Sequence, residues 1–211
     1  MALPVPAPAN VYTPPEEPIV VIGKQFVASY PVDLTLQEKS LTLGENDFTI
    51  SDANGTPIFK VKGKLFSIRD QRTLRDAAGN PVVCFRQKIL TMHRRWQVFR
   101  GDSTTDLLFS VRKSSLLQFR TTLDVFLAAN NSESKPDFTV KGGFREHGCT
   151  IYSGPGETNV VGQMHKKHSL KNMIFDKDCF QLTALPNVDY AFIVTLVVIL
   201  DEINADRSGE D

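Results

Sequence analysis

The sequence has no excess of charge of either sign. Lysine and arginine total 24 in the 211 residues, and aspartate and glutamate also total 24. No net field would therefore draw the chain onto nucleic acid or onto an anionic bilayer, so binding to either would need a local basic patch. No run of residues indicates a nucleic-acid partner.

Cysteine is scarce, and the features of a signal peptide are missing. Cys84, Cys149 and Cys179 are widely spaced and odd in number, and no C-x-x-C pair occurs. The opening MALPVPAPANVYTPPEEP has neither the basic segment nor the apolar segment of a secretory signal. We expect a cytoplasmic, reduced protein whose three cysteines are buried thiols, with no metal and no cofactor.

The chain also lacks a recognisable catalytic arrangement. His165 and His168 are three residues apart, whereas zinc-binding histidines on a helix are usually four apart and need a third ligand. His147 and Cys149 would share one face of a strand, with no third group to orient the histidine as a base. Because no G-x-S-x-G motif occurs either, the sequence predicts a protein that is not an enzyme.

Long hydrophobic runs are limited to one, YAFIVTLVVIL at residues 190–200. As a helix it would rise about 16 Å, whereas the hydrocarbon layer of a bilayer is about 30 Å thick. Asp189 precedes the run, and Asp201 and Glu202 follow it. Acidic side chains at bilayer depth cost on the order of several kcal/mol, so the run does not predict a transmembrane segment.

The same run predicts a buried helix over about residues 189–203. Pro186, Asn187 and Asp189 supply start signals, and DEIN supplies the stop. Its β-branched residues would also suit a buried strand, which stays open as an alternative. A helix that is apolar on every side must be surrounded, and in a soluble chain a closed sheet does this. The predicted core residues are Phe192, Ile193, Val194, Leu196, Val197, Val198, Ile199 and Leu200.

Most of the remaining sequence alternates β-branched or aromatic residues with polar ones, which is typical of strands. Examples are PIFKVKG, PVVCFRQK, RWQVFRG and LLFSVRK, among about ten short strands. SDANGTP and RDAAGNP share the pattern D-A-x-G-x-P, which predicts two hairpins with Gly55 and Gly79 at positive φ and Pro57 and Pro81 opening the next strands. The spacing predicts a barrel or a sandwich.

One domain is expected, with a short arm and a short tail. Six of the twelve prolines lie in residues 1–18, which predicts a disordered arm, and residues 205–211 predict a frayed tail. Residues 19–204 would form the domain. The polar stretch NNSESKP, residues 130–136, is interpreted as a loop between strands or a spacer.

The helix segment FQLTALPNVDYAFIVTLVVILDEI, together with FTISDANGTPIFKV, LRDAAGNPVVCFRQK and RWQVFRG, resembles the plant LURP-one-related proteins. These belong to the superfamily of the tubby C-terminal domain and the phospholipid scramblases. The resemblance spans about residues 19–204. It implies a mostly β fold of the α+β class, a tubby-like closed antiparallel barrel of about twelve strands around a central C-terminal helix.

The resemblance implies three functional hypotheses, and the first is binding of anionic phospholipid head groups. Tubby domains hold phosphoinositides with lysine and arginine, then release them and enter the nucleus. The corresponding module here would be cytoplasmic, tethered to a membrane surface or nuclear, with a regulatory role in defence or transcription. The candidate contacts are Lys60, Lys62, Lys64, Arg112, Lys113, Lys166 and Lys167. An ordinary solvated strand face is the alternative for each of them.

The second hypothesis is a calcium-dependent, scramblase-like activity. Asp176 and Asp178 lie just before the helix, where scramblases carry an acidic loop, but the glycine and the terminal glutamate of a calcium loop are missing. The third hypothesis is a scaffold that binds a protein partner without binding lipid.

Overall fold

A closed antiparallel β-barrel forms around one helix in the computed structural model, which describes residues 12–42, 45–63, 71–88, 95–115, 121–143, 148–166 and 179–205. A short 3-10 helix, Lys24–Phe26, precedes the barrel. The strands are β1 Val32–Thr42, β2 Glu45–Ser51, β3 Pro57–Gly63, β4 Arg72–Asp76, β5 Pro81–Lys88, β6 Arg95–Arg100, β7 Leu107–Lys113, β8 Thr122–Leu127, β9 Phe138–Gly143, β10 Gly148–Ser153, β11 Val160–Lys166 and β12 Cys179–Ala184. The helix α1 is Tyr190–Ala205.

Each strand pairs with the next along the chain, and β12 returns to pair with β1. The closing register runs from Val32 opposite Ala184 to Gln37 opposite Cys179. Closure leaves no unpaired edge in the ladder. The predicted fold class is therefore confirmed. The helix α1 follows β12 directly and runs back through the barrel, so it points in the same direction as the odd-numbered strands, which are antiparallel to β12.

The barrel encloses the hydrophobic run as predicted. Every residue from Ala191 to Leu200 is at most 1% exposed, including all eight predicted core residues. The run adopts a helix rather than the strand alternative, because a helix satisfies its own backbone groups inside an apolar cylinder. In the part of the chain that the structure describes, no helix has the length and apolar content required to cross a bilayer.

Glycines let one wall of the barrel approach α1 closely. A Cβ on Gly162 of β11 would lie 3.0 Å from Cγ2 of Ile193, and one on Gly143 of β9 would lie 2.7 Å from Nδ2 of Asn204. The opposite wall fills a wider gap with large buried side chains, which are Phe48, Phe59, Phe85 and Trp96. The helix therefore lies nearer to β9, β11 and β12 than to β3–β6.

A buried carboxylate joins α1 to the segment before the barrel. Asp189 is 0% exposed and caps the helix, since its Oδ1 accepts the N–H of Phe192 at 3.1 Å. Its Oδ2 accepts three successive backbone N–H groups, from Val21 at 3.2 Å, Ile22 at 2.7 Å and Gly23 at 3.0 Å. This segment closes the barrel end at which α1 begins.

The two D-A-x-G-x-P hairpins form as predicted. Gly55 has φ 82° and Gly79 has φ 89°, and Pro57 and Pro81 begin β3 and β5. The aspartate of each hairpin accepts backbone N–H groups of its turn, at 2.8 Å from Thr56 in the first and from Asn80 in the second. The amide of Asn80 also donates to Asp76, and these hydrogen bonds lower the pKa of that carboxyl.

Residues 12–18 of the proline-rich arm lie against the barrel. The Tyr12 hydroxyl accepts a hydrogen bond from Nε2 of Gln163 at 2.9 Å, and the Pro15 carbonyl accepts one from Nδ2 of Asn187 at 3.1 Å. Residues 130–136 lie in the connection between β8 and β9, as the loop interpretation predicted. One cysteine prediction is wrong, because Cys84 and Cys149 are buried but Cys179 is half-buried at the start of β12.

Gly142 of β9 has a backbone conformation that other residues rarely adopt. Gly142 has φ 98°, and an added Cβ would lie 2.4 Å from the backbone oxygen of Gly148 in β10. We expect Gly142→Ala to lower the free energy of unfolding by about 2–5 kcal/mol, from backbone strain plus the clash. Gly79→Ala is the control, because Gly79 has a similar φ of 89° but faces open space. Urea unfolding should show a loss of only about 1–2 kcal/mol for the control, and equal losses would contradict the clash.

Candidate functional site

The outer face of β3–β5 carries a concentration of positive charge, and we call it the basic face. Lys60 and Lys62 are exposed and alternate with buried Phe59 and Val61, so both point away from the barrel. Its other positive residues are Arg75 of β4 and Arg86 and Lys88 of β5. The one acidic residue within these three described strands is Asp76, whose carboxylate is bound by its own hairpin.

The register places like charges opposite each other on the basic face. Lys60 pairs directly with Arg75, and Lys62 pairs with Thr73. Opposed cations on neighbouring strands destabilise a sheet unless an anion lies between them. Arg75 donates to the Gly79 carbonyl at 2.9 Å, and Arg86 donates to the Thr104 carbonyl at 3.2 Å, so backbone carbonyls hold both guanidinium groups.

The predicted basic contacts do not form a single cluster. Lys60 and Lys62 lie on β3, Arg112 and Lys113 at the end of β7, and Lys166 at the end of β11. Three strands separate each of these from the next, which is about 19 Å along the sheet at about 4.8 Å per strand. All three groups lie towards the barrel end at which α1 terminates, so they share a rim and not a pocket.

Several predicted positions lie outside the described residues. These are the basic candidates Lys64 and Lys167, the calcium candidates Asp176 and Asp178, and the histidines His147 and His168. Among the residues that are described, no three His, Cys, Asp or Glu side chains gather as a metal-ligand set.

Arg112 is already engaged by other side chains. Its guanidinium lies 4.5 Å from the centroid of the Phe126 ring, and its Nη1 lies 3.5 Å from Oε2 of Glu133. Glu133 also forms a bidentate pair with Arg95, at 2.5 Å from Nη1 and 2.6 Å from Nη2. Hydrogen bonding from Arg95 lowers the pKa of Glu133 and raises the pKa of Arg95 itself.

A polar groove of about 1070 Å³ lies on the outer side of the wall opposite the basic face. Lys141, Thr150, Tyr152, Gln163 and His165 line it, and Gly142 and Gly148 leave its floor open. Lys141 pairs with Glu157 at its edge. Cys149 is 4% exposed beneath it.

Comparison with known families assigns residues 32–201 to the one described as LURP-one-related. The chain belongs to the LURP-one-related family. Protein LURP-one-related 15 of Arabidopsis thaliana is 47% identical over 189 residues, which cover 89% of this chain and 87% of that protein. Protein LURP1 of the same plant is 42% identical over 190 residues, covering 89% and 91%.

A solved structure also resembles this LURP-one-related chain. An X-ray structure of an Arabidopsis thaliana protein is 42% identical, superposes with a TM-score of 0.69, and covers 88% of this chain and 98% of that chain. The names of these relatives specify neither a ligand nor a reaction. Function therefore has to be argued from the surfaces of this LURP-one-related barrel.

Sequence reasoning missed most of the basic face of this LURP-one-related barrel. Arg75, Arg86 and Lys88 were not predicted as contacts, although the segments RTLRD and PVVCFRQK contain them. Each segment alone resembles an ordinary amphipathic strand. The pairing of Lys60 with Arg75 brings the charges together, and that pairing depends on strand order and register.

Proposed function

We propose that this protein is a non-enzymatic, cytoplasmic module that binds the phosphorylated head groups of anionic phospholipids through the basic face and so attaches to a membrane surface. The observation that carries the proposal is the direct pairing of Lys60 with Arg75 on a face to which β3–β5 contribute five outward cations. A phosphate between such cations relieves their repulsion. The cytoplasmic leaflet presents this charge, since it is rich in anionic lipid.

A regulatory role fits this proposal, because attachment to the membrane by electrostatic attraction is reversible. Each exposed lysine near an anionic surface contributes about 1 kcal/mol, and the attraction decays within about 8 Å at physiological ionic strength. Attachment would therefore be sensitive to salt and to the lipid composition of the membrane.

The double variant Lys60→Ala and Lys62→Ala tests the proposal. We expect its affinity for phosphatidylcholine vesicles containing phosphatidylinositol phosphates to fall about 30-fold in co-sedimentation, from the loss of about 2 kcal/mol. The matched control is Lys24→Ala with Lys135→Ala, which removes two exposed lysines that lie outside β3–β5.

The control should bind like the wild type, and both proteins should leave the vesicles at high salt. If the wild type stays in solution with every vesicle composition, the lipid proposal fails. Retention of one stoichiometric protein partner through a salt wash would then favour the scaffold hypothesis.

A further inference from the structure

Two arginines on neighbouring strands hold a single carboxylate on the outer surface of the barrel. Arg95 of β6 precedes Trp96, Arg112 of β7 follows Val111, and Trp96 pairs with Val111 across the two strands. Both guanidinium groups contact Glu133, Arg95 through two hydrogen bonds and Arg112 at 3.5 Å. Two forked cations around one three-atom O–C–O group are the arrangement by which proteins bind oxyanions.

Arg112 does not depend on Glu133 for its position. The Phe126 ring beneath it is 2% exposed, and the guanidinium lies 4.5 Å from the ring centroid. A cation held over a buried aromatic face keeps its place when its counter-ion leaves. Arg112 is therefore anchored by Phe126 as well as by the glutamate.

Glu133 reaches the site through an unfavourable backbone conformation. Its φ is 46°, in the left-handed region that is uncommon for residues other than glycine. Asn130 positions it, because Oδ1 of Asn130 accepts the Glu133 N–H at 3.1 Å and Nδ2 donates to Asp137 at 2.9 Å. The neighbouring Ser132, Ser134 and Lys135 are exposed. The segment over residues 130–134 thus presents one carboxylate to the barrel and little else.

The arginine pair continues the basic face. Arg95 pairs directly with Lys88 of β5, so positive side chains extend from β3 to β7. Glu133 offsets one of the two positive charges at the β6–β7 end of this surface.

We propose that Arg95 and Arg112 form a binding site for a phosphate monoester, and that Glu133 occupies this site as an intramolecular competitor until a ligand displaces it. The inference rests on the proposed function and adds a second head-group contact with its own regulation. The same chemistry is present in a lipid head group and in a free inositol phosphate, so the experiment includes both.

Glu133→Gln removes the competing charge while keeping the size of the side chain. We expect it to raise the affinity at least about fivefold, for vesicles containing phosphatidylinositol phosphates by co-sedimentation and for inositol hexakisphosphate by calorimetry. Glu157→Gln is the matched control, because it makes the same charge change beside Lys141 at the edge of the groove. The gain should disappear when Glu133→Gln is combined with Arg112→Ala.

The inference is overturned if Glu133→Gln and Glu157→Gln bind both ligands equally, or if the gain survives Arg112→Ala. Loss of binding in Lys60→Ala with Lys62→Ala, without any effect of Glu133→Gln, supports the proposed function and rejects the inference. A higher affinity of Glu133→Gln for inositol hexakisphosphate, with no vesicle binding by any variant, supports the inference and rejects the proposed function.

Hydrogen exchange of the wild-type chain tests the inference without any substitution, and so it still applies if a variant misfolds. Hydrogen exchange of the backbone amides over residues 130–134 should accelerate at saturating inositol hexakisphosphate, because the ligand displaces Glu133 and releases the Glu133 N–H from Asn130. Unchanged exchange at saturation would contradict the displacement.

Discussion

Phe192→Ala is expected to lower the free energy of unfolding by about 3–5 kcal/mol, a large part of the 5–15 kcal/mol typical of a domain. Phe192 is 0% exposed on the first turn of α1. Its ring contacts Phe109 of β7 and Phe138 of β9, with centroids 5.1 Å and 4.9 Å away. Removing it would leave a cavity between the helix and strands β7 and β9, and the closed sheet could not move inwards to fill it.

Urea unfolding followed by fluorescence would measure this loss, since Trp96 is the single tryptophan and is 1% exposed. Phe192→Leu is the matched variant, which keeps most of the apolar volume and should cost about 1–2 kcal/mol. Equal midpoints for Phe192→Ala and the wild type would mean that the helix is not the core of the barrel.

Asp189→Ala is expected to lower the free energy of unfolding by about 3–5 kcal/mol. The substitution removes the helix cap, worth about 1 kcal/mol, and leaves the N–H groups of residues 21–23 without their carboxylate acceptor. Each buried donor that loses its partner costs about 1–3 kcal/mol. The segment before the barrel should also open more often, because residues 21–23 lose their acceptor while the backbone hydrogen bonds of Ile19 to residues 187 and 189 remain.

Two further variants distinguish the loss of the Asp189 hydrogen bonds from the general effect of removing a negative charge. Asp189→Asn keeps one acceptor oxygen and should fall between Asp189→Ala and the wild type. Asp33→Ala removes an exposed acid on β1 that accepts one hydrogen bond from Thr183 at 2.6 Å, and should change stability by about 0.5 kcal/mol or less. Residues 21–23 should exchange amide hydrogens much faster in Asp189→Ala, and unchanged protection there would contradict the role of Asp189.

Both predictions concern the scaffold, whereas the proposed function depends on its outer surface. The closed ladder and the enclosed helix give β3–β7 a rigid outer face. A rigid face keeps cations in place that would otherwise repel one another, so the stability of the core is what makes the basic surface available to a ligand. The two ends of that surface differ, since Glu133 already contacts the arginines of β6 and β7.

The sequence alone determined the enclosed helix and the two glycine hairpins. Ten consecutive buried positions without a charge, from Ala191 to Leu200, allow no exposed face, so a surrounding sheet was required. Gly55 and Gly79 followed from turn chemistry, which depends on only a few neighbouring residues. The strands β1, β4, β8 and β12 were not among the segments identified, although β1 and β12 alternate polar and apolar residues in the same way as the others.

Only the tertiary structure decided which charges lie together. Lys60 and Arg75 are 15 residues apart, and Arg95 and Glu133 are 38 apart, so their contacts depend on register and on the path of a loop. Register changes by one residue exchange the inner and outer faces of a strand, and local composition does not specify it across a barrel. Arg112 illustrates the consequence, because its sequence indicated a solvated contact whereas the fold places it between Phe126 and Glu133.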